Sequence, residues 1–137
     1  MYKNENVLVI DAGTCITYDL VNTNNQYLGG AISPGIEMRF NALNKYTGKL
    51  PLIQMRNYDG ITGKTTEESI LSGVLNGSIN EIKETIRLYE EQYPDIKIVI
   101  TGGDAKFFAK ALKSSIFADP FLVLKGLNEI VDHNTPH

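Results

Sequence analysis

Asp11-Ala12-Gly13-Thr14 places an acid, a glycine and a hydroxyl within four residues, directly after the apolar run Val7-Leu8-Val9-Ile10. A carboxylate at a strand end, beside a turn of small residues, suits a nucleotide's phosphates and their cation. The same residues also suit an ordinary hairpin with an acid in its turn. Gly13 can take backbone angles closed to other residues, so the spacing predicts a chain reversal there. Thr14 then stands at the tip with a hydroxyl and an N–H. Two further turns of small residues lie downstream: Gly29-Gly30 leading to Ser33-Pro34-Gly35, and Thr101-Gly102-Gly103-Asp104. The first and last of the three follow apolar strands, and ligands of α/β sheets bind at such strand ends. Helix N-termini at these ends favour anions.

Other chemistries find less support. Gly63-Lys64-Thr65 looks like the end of a phosphate-binding P-loop, but that loop needs a glycine at position 58, which is Tyr58, and a preceding core strand. Lys64, Thr65 and Thr66 are therefore either helix caps or substrate contacts at a helix N-terminus. No His pair, Cys cluster or carboxylate spacing suggests zinc. His133 and His137 fall in a polar tail. Cys15 is the sole cysteine and sits among apolar residues, which suits a small packed side chain rather than a reactive thiol. Asp19, on a strand, reads as structural.

The elements that must position these turns follow from the pattern. Val7–Ile10, Thr17–Val21 and Gln26–Ile32 read as three antiparallel strands, with a turn at Asn22-Thr23-Asn24-Asn25. Gly29 and Gly30 weaken the third strand and predict a bulge or a close approach of another backbone or a ligand. Ser33 as N-cap and Pro34 at the first helical position predict a helix carrying Met38, Ala42, Leu43 and Tyr46, ended by Gly48. Leu50-Pro51-Leu52-Ile53 reads as a short strand.

Thr65 with Glu68 matches a capping box opening a long helix to about Gln92. Leu71, Leu75, Ile79, Ile82, Ile86, Tyr89 and Tyr93 give it one apolar face, and Glu81, Lys83, Glu84, Arg87, Glu90 and Glu91 mark the solvated one. Gly73 and Gly77 each cost about 1 kcal/mol in a helix, which predicts close packing of another element on them. Ile96–Ile100 reads as a core strand and Ala105–Lys113 as a helix capped by Asp104. Phe121–Leu124 reads as a last strand and Lys125–Val131 as a closing helix. Strands followed by strands alternating with helices imply a mixed α/β sheet covered by helices.

At 137 residues the chain suits one domain. Hydrophobic and charged fractions of 42% and 21% argue for a globular chain against disorder. A net charge of −3 and the lack of any lysine or arginine run disfavour nucleic acid as a partner. No apolar run approaches the ~20 residues of a membrane helix, and the N-terminus has no signal-peptide pattern. These features make cytoplasmic the default location.

Taken together and in order, the motifs resemble those of type III pantothenate kinases. They are Asp11–Asp19, Leu28-Gly29-Gly30-Ala31-Ile32-Ser33-Pro34-Gly35, Ala42-Leu43 through Leu50-Pro51, Gly63-Lys64-Thr65-Thr66-Glu67-Glu68-Ser69-Ile70 with Ser72-Gly73, and Thr101-Gly102-Gly103-Asp104-Ala105. The resemblance implies a ribonuclease H-like lobe of the actin, sugar-kinase and heat-shock-chaperone superfamily, with three antiparallel strands in a mixed sheet under covering helices. It implies that Asp11 binds a monovalent cation, usually potassium. Gly13 and Thr14 would meet ATP phosphate, and Gly102 and Gly103 the nucleoside. Thr66, with Thr65 as the weaker candidate, would meet pantothenate. Magnesium would accompany ATP, and the family's homodimer would place the long helix near its interface.

Two family motifs have no match. The first phosphate motif, Asp-x-Gly-Asn-Thr, is absent, and so is the Gly-x-Asp-Arg motif that carries the catalytic acid; the chain has no Asp-Arg pair. The expectation is a single domain over 1–137 that resembles the second, C-terminal lobe of a two-lobed kinase. It would have no catalytic residue of its own, whether as a truncated piece, a proteolytic product or one half of a split gene. Two alternatives remain: a non-catalytic nucleotide-binding or regulatory module, since the family also carries the label Bvg accessory factor, and a sugar kinase. Thr66 in its Thr-Glu-Glu-Ser-Ile setting favours pantothenate over sugar.

Overall fold

The unbroken run of β-branched and leucine residues Val7–Ile10 starts a central strand, β1 (Val7–Ala12), and a computed structural model describing residues 4–112 and 116–118 builds the sheet around it. Cys15–Val21 (β2) pairs with β1 antiparallel, and Tyr27–Pro34 (β3) pairs with β2 antiparallel. Lys97–Thr101 (β4) lies parallel to β1 on its other side, and Ile116–Ala118 (β5) lies parallel to β4. The order is β3-β2-β1-β4-β5. The three-strand antiparallel half is as the sequence predicts. β5 falls earlier in the chain than the strand expected at Phe121–Leu124, which lies outside the described residues together with the expected helix Lys125–Val131, His133 and His137.

Alternation along β1 sends Leu8, Ile10 and Ala12 into the main core with Ile16, Tyr18, Ile98 and Ile100. Val7 and Val99 form a second, smaller cluster with Val9 packed against it. Helices α1 (Ile36–Thr47), α2 (Thr66–Gln92) and α3 (Ala105–Leu112) close the main core with Ile36, Phe40, Leu71, Leu75, Ile82 and Phe108. Gly30 and the bulge between β2 and β3 behave as predicted. A Cβ at Gly30 would fall onto the carbonyl of Tyr18, so the third strand closes on the second only with glycine there. The Asn22 turn also holds, its side chain accepting from the N–H groups of Asn24 and Gln26 at 2.9 Å each.

Five expectations are corrected. Pro34 is the last residue of β3, and Gly35 is the N-cap of α1, so Ser33 does not cap it. Ser33 instead donates to Glu81, which ties the end of β3 to α2. On α1 the buried residues are Ile36 and Phe40, while Met38 and Tyr46 face outward; Gly48 ends the helix in the left-handed region as predicted. Leu50–Ile53 is irregular rather than a strand, although Ile53 still reaches the core. Gly73 and Gly77 meet nothing within 4 Å, so no element packs on them among the described residues. α2 tolerates both because its six buried apolar residues, each worth roughly 1.5–3 kcal/mol on burial, outweigh about 1 kcal/mol per glycine.

The fifth correction concerns Glu81, assigned by its spacing to the solvated face of α2. Its carboxylate accepts from Tyr18 (2.7 Å), Ser33 (2.7 Å) and Arg39 (2.6 Å), joining β2, β3 and α1 to α2. Burial alone would push the Glu81 carboxyl up, but these donors and the Arg39 charge outweigh it and hold the group below the usual range. Burial, and then the bond to Glu81, pushes the Tyr18 phenol well above its ordinary value. A carboxyl lowered by folding contributes stability that is complete above its unfolded value near 4.3 and is lost as pH falls below it. Glu81→Gln is therefore expected to cost about 2 kcal/mol at pH 7. The loss should shrink toward zero near pH 3, as read from urea unfolding at both pH values; an equal loss at both would show that the carboxylate charge is not what holds the network.

Candidate functional site

The parallel register sets Asp11 of β1 directly opposite Thr101 of β4, so both strands end on the same edge of the sheet. Their exits then approach each other closely. Gly102 turns the chain at φ +98°, in the region that disfavours side chains. A Cβ there would stand 2.5 Å from Asp11 Oδ1 and 2.7 Å from the carbonyl oxygen of Ala12. The N–H of Asp104 donates to that same Ala12 carbonyl at 2.9 Å, and α3 begins at the next residue.

The β1–β2 turn is held from its other side. The Gly35 N–H donates to the Thr14 carbonyl at 3.0 Å, and a Cβ at Gly35 would collide with the carbonyls of Gly13 and Thr14. Gly13 itself does not occupy the left-handed region, contrary to the reason given for it from sequence; its N–H donates to the Cys15 carbonyl at 3.0 Å. The glycines that the geometry requires are Gly35 and Gly102, one on each flank of the turn. Thr14 is exposed at the tip, Asp11 is half-buried behind it, and Gly103 borders open space. Asp104 is pushed up from its ordinary range by burial first and then by the charge of Glu37, so the first turn of α1 also faces this edge. The Asp11–Thr14 turn, Gly35 and the Thr101–Asp104 turn thus converge at one end of the β1–β4 pair, with the start of α3 beside them. Gly29 and Gly30 instead lie within β3 opposite Leu20 and Asp19, away from this end and in a strand rather than the turn that the sequence predicts.

Thr65 and Thr66 stand elsewhere. They line a cavity of about 520 Å³ with Leu43, Leu50, Lys64, Ile70 and Gly73, at the far end of α1. Thr65 is the N-cap of α2: its hydroxyl accepts from the Glu68 N–H at 3.1 Å, and Glu68 Oε1 accepts from the Lys64 N–H at 3.0 Å. Thr65 caps the helix as predicted, with Glu68 closing on the N–H one residue before the cap rather than on that of Thr65, and the cap occupies the Thr65 hydroxyl. Thr66, one residue into the helix, is exposed and leaves its side chain to the cavity. The loop before α2 is fixed by Ser72, which donates to the Ile61 carbonyl, and by Asn76, which donates to the Gly60 carbonyl at 3.0 Å. Gly35 and Leu43 lie eight residues apart on α1, so the two places are separated by roughly 12 Å along that helix.

Thr101, which the sequence alone does not single out, stands beside Asp11 in the register of the two strands. It is fully buried, and its Oγ1 has no hydrogen-bond partner among the described residues. Its neighbours Gly102 and Gly103 drew attention, but only the long-range register of β4 against β1 brings Thr101 beside Asp11. Among the described residues no group of three His, Cys, Asp or Glu side chains could hold a metal ion. A single carboxylate among backbone carbonyls suits a weakly bound cation better than zinc.

Because Gly102 is both in the left-handed region and against Asp11, Gly102→Ala is expected to cost about 2 kcal/mol or more. Gly103→Ala, which meets open space, is expected to stay within about 0.5 kcal/mol. Urea unfolding midpoints of the two variants check this; equal losses would contradict the packing described for Gly102.

The model of the family Type III pantothenate kinase matches residues 1–88 of the chain. A type III pantothenate kinase from Christiangramia forsetii is 50% identical over 133 residues, covering 97% of this chain and 55% of that protein. One from Bacteroides fragilis is 48% identical with the same coverage. The chain thus spans about half the length of the curated relatives it matches. Among solved structures, a Campylobacter jejuni protein described as a Baf family transcriptional activator superposes with a TM-score of 0.59 at 25% identity, over 95% of this chain and 59% of that one. With the sheet order β3-β2-β1-β4-β5, these likenesses agree on a ribonuclease H-like α/β fold, and the chain belongs to the type III pantothenate kinase family.

Proposed function

We propose that this chain forms the second, C-terminal lobe of an ATP-dependent kinase that phosphorylates pantothenate, the first step of coenzyme A synthesis. The observation that carries the reading is the meeting of the Asp11–Thr14 turn, Gly35 and the Thr101–Asp104 turn at the ends of β1 and β4, where Gly102 lies bare against the Asp11 carboxylate. In this reading Gly13 and Thr14 take the ATP phosphates and Gly102 and Gly103 lie along the nucleoside. Asp11 holds a monovalent cation, potassium in the family pattern, and magnesium arrives with ATP. The donor set supports such a cation: the Ala12 carbonyl and the Asp11 carboxylate both lie against Gly102. The bound cation would offset charge on the phosphates.

Thr66 takes pantothenate in the cavity at the start of α2, with Thr65 serving the helix cap and Lys64 offering a positive charge beside it. Phosphoryl transfer also needs a carboxylate to accept the substrate hydroxyl's proton. That acid belongs to the Gly-x-Asp-Arg motif, which this sequence lacks, so it is assigned to the partner lobe and none of this chain's residues is assigned as catalytic. A homodimer through α2 suits the exposed backbone at Gly73 and Gly77. No helix among the described residues is long and apolar enough to cross a membrane, in keeping with a cytoplasmic enzyme acting on small molecules.

A regulatory, non-catalytic nucleotide-binding module is the second reading, favoured by the likeness to the Campylobacter jejuni protein. Calorimetry with ATP and with pantothenate separates the two. Thr14→Ala is expected to weaken ATP about tenfold and leave pantothenate alone, and Thr66→Ala to do the reverse. Turnover by this chain alone should be negligible and should appear when the complementary lobe is supplied. ATP binding without any pantothenate binding would favour the regulatory module. Turnover by the chain alone at the rate of a two-lobed kinase would remove the assignment of the acid to the other lobe.

A further inference from the structure

Thr101 closes β4 with a fully buried side chain whose Oγ1 has no partner among the described residues. Buried hydroxyls are nearly always hydrogen-bonded, so one left unpaired calls for an explanation. Its place in the sheet supplies one. Residues paired across parallel strands project to the same face, and Asp11 is the residue paired with Thr101. Two residues earlier on each strand, Val9 packs against the cluster that holds Val99; one residue earlier, Ile10 and Ile100 enter the opposite core. Asp11 and Thr101 therefore leave the sheet side by side on the Val9 and Val99 face. Oγ1 has no partner among the described residues, so it makes no hydrogen bond to the neighbouring carboxylate.

We propose that Thr101 Oγ1 supplies a second side-chain oxygen to the monovalent cation held by Asp11. The proposal rests on the reading of Asp11 as the cation's carboxylate. The surroundings favour a cation over a phosphate oxygen here, since Asp11 would repel an anion and the nearby Ala12 carbonyl is a further oxygen ligand. A threonine hydroxyl keeps two lone pairs for such a role, and hard cations take oxygen ligands of this kind. Thr101 would thus serve cation affinity rather than the fold, and its burial would exclude water that competes for the ion.

Thr101→Val keeps the side chain's shape and removes the hydroxyl, so it separates ligand from scaffold. The measurement is the thermal unfolding midpoint of the whole chain with a non-hydrolysable ATP analogue and magnesium, titrated with potassium chloride against choline chloride at matched ionic strength. The expected result is a half-saturating potassium concentration raised about tenfold or more in Thr101→Val, while Thr101→Ser stays within about threefold of the parent. In choline chloride the Thr101→Val midpoint should be unchanged or higher, because an unpartnered buried hydroxyl has been replaced by a methyl group. A parental potassium response in Thr101→Val would overturn the proposal. So would a lower midpoint in choline chloride, which would mean that the hydroxyl serves the fold. Asp11→Asn tests the underlying reading: loss of the potassium response there with its retention in Thr101→Val sinks the Thr101 role alone. A potassium response that survives in Asp11→Asn, or is missing from the parent chain, sinks the reading and the proposal with it.

Discussion

Two positions where no side chain fits, Gly35 and Gly102, set the geometry on which the rest of this edge depends. At each, a single added carbon would collide with the β1–β2 turn, from the carbonyls of Gly13 and Thr14 on one flank and from Asp11 and Ala12 on the other. The collisions involve backbone oxygens and a strand-held carboxylate, which cannot swing away as a flexible side-chain end could. Close approach is therefore obligatory rather than incidental. It places carbonyl oxygens, one carboxylate and the start of α3 within contact distance of one another. An edge so built offers both oxygen ligands for a cation and a helix N-terminus for an anion, which are the two needs of a bound polyphosphate.

Such an edge holds its shape only if the helices are fixed against the sheet. The Glu81 carboxylate does much of this. It draws donors from β2, β3 and α1 onto one point of α2, and Arg39 also donates to the Pro34 carbonyl at the last residue of β3. Gly35 follows Pro34 directly, so the network anchors the residue next to the close approach at Thr14. The partial burial of these groups strengthens the ion pair relative to a fully exposed one, while the three donors offset the cost of desolvating the carboxylate.

Local signals made much of this readable. The Thr65–Glu68 box, the glycine end of α1 at Gly48, the asparagine turn at Asn22 and the apolar stripe of α2 each depend on residues within one or two turns, and each is found where the pattern puts it. What failed depended on distant partners. Glu81 looks solvated because its spacing on α2 belongs with Lys83 and Glu84, yet Ser33 and Tyr18 lie 48 and 63 residues away in sequence. Ser33-Pro34 reads as a helix start because both residues favour one, but pairing with Ile16 and Cys15 extends β3 through them. Gly73 and Gly77 show the same limit in reverse, since their spacing suggests a packed partner that no other described element supplies. For the site itself, the motifs marked Asp11, Thr14 and Gly102, whereas Thr101 becomes visible only through the β1–β4 register.

Helix α1 links the two places on the chain that the proposed function needs. Its cap, Gly35, is bonded to the Thr14 turn, and Leu43, two turns on, borders the cavity shared with Thr65 and Thr66. A helix is stiff over that length, so the spacing of roughly 12 Å between the two is set by backbone geometry rather than by loops. The two ends differ in how they would recognise ligands. The Thr14 end is formed largely from backbone and one carboxylate, which suits the charge and repeated oxygens of a phosphate chain. The Thr66 end is formed from side chains over Leu43, Leu50 and Ile70, with Lys64 beside them, which suits a small acceptor with an apolar body and an acidic group. On this view substitutions around Leu43 and Ile70 alter which acceptor is taken, while those around Gly35 and Gly102 alter whether the phosphate edge exists at all. α1 keeps the two functions in register without making either depend on the chemistry of the other.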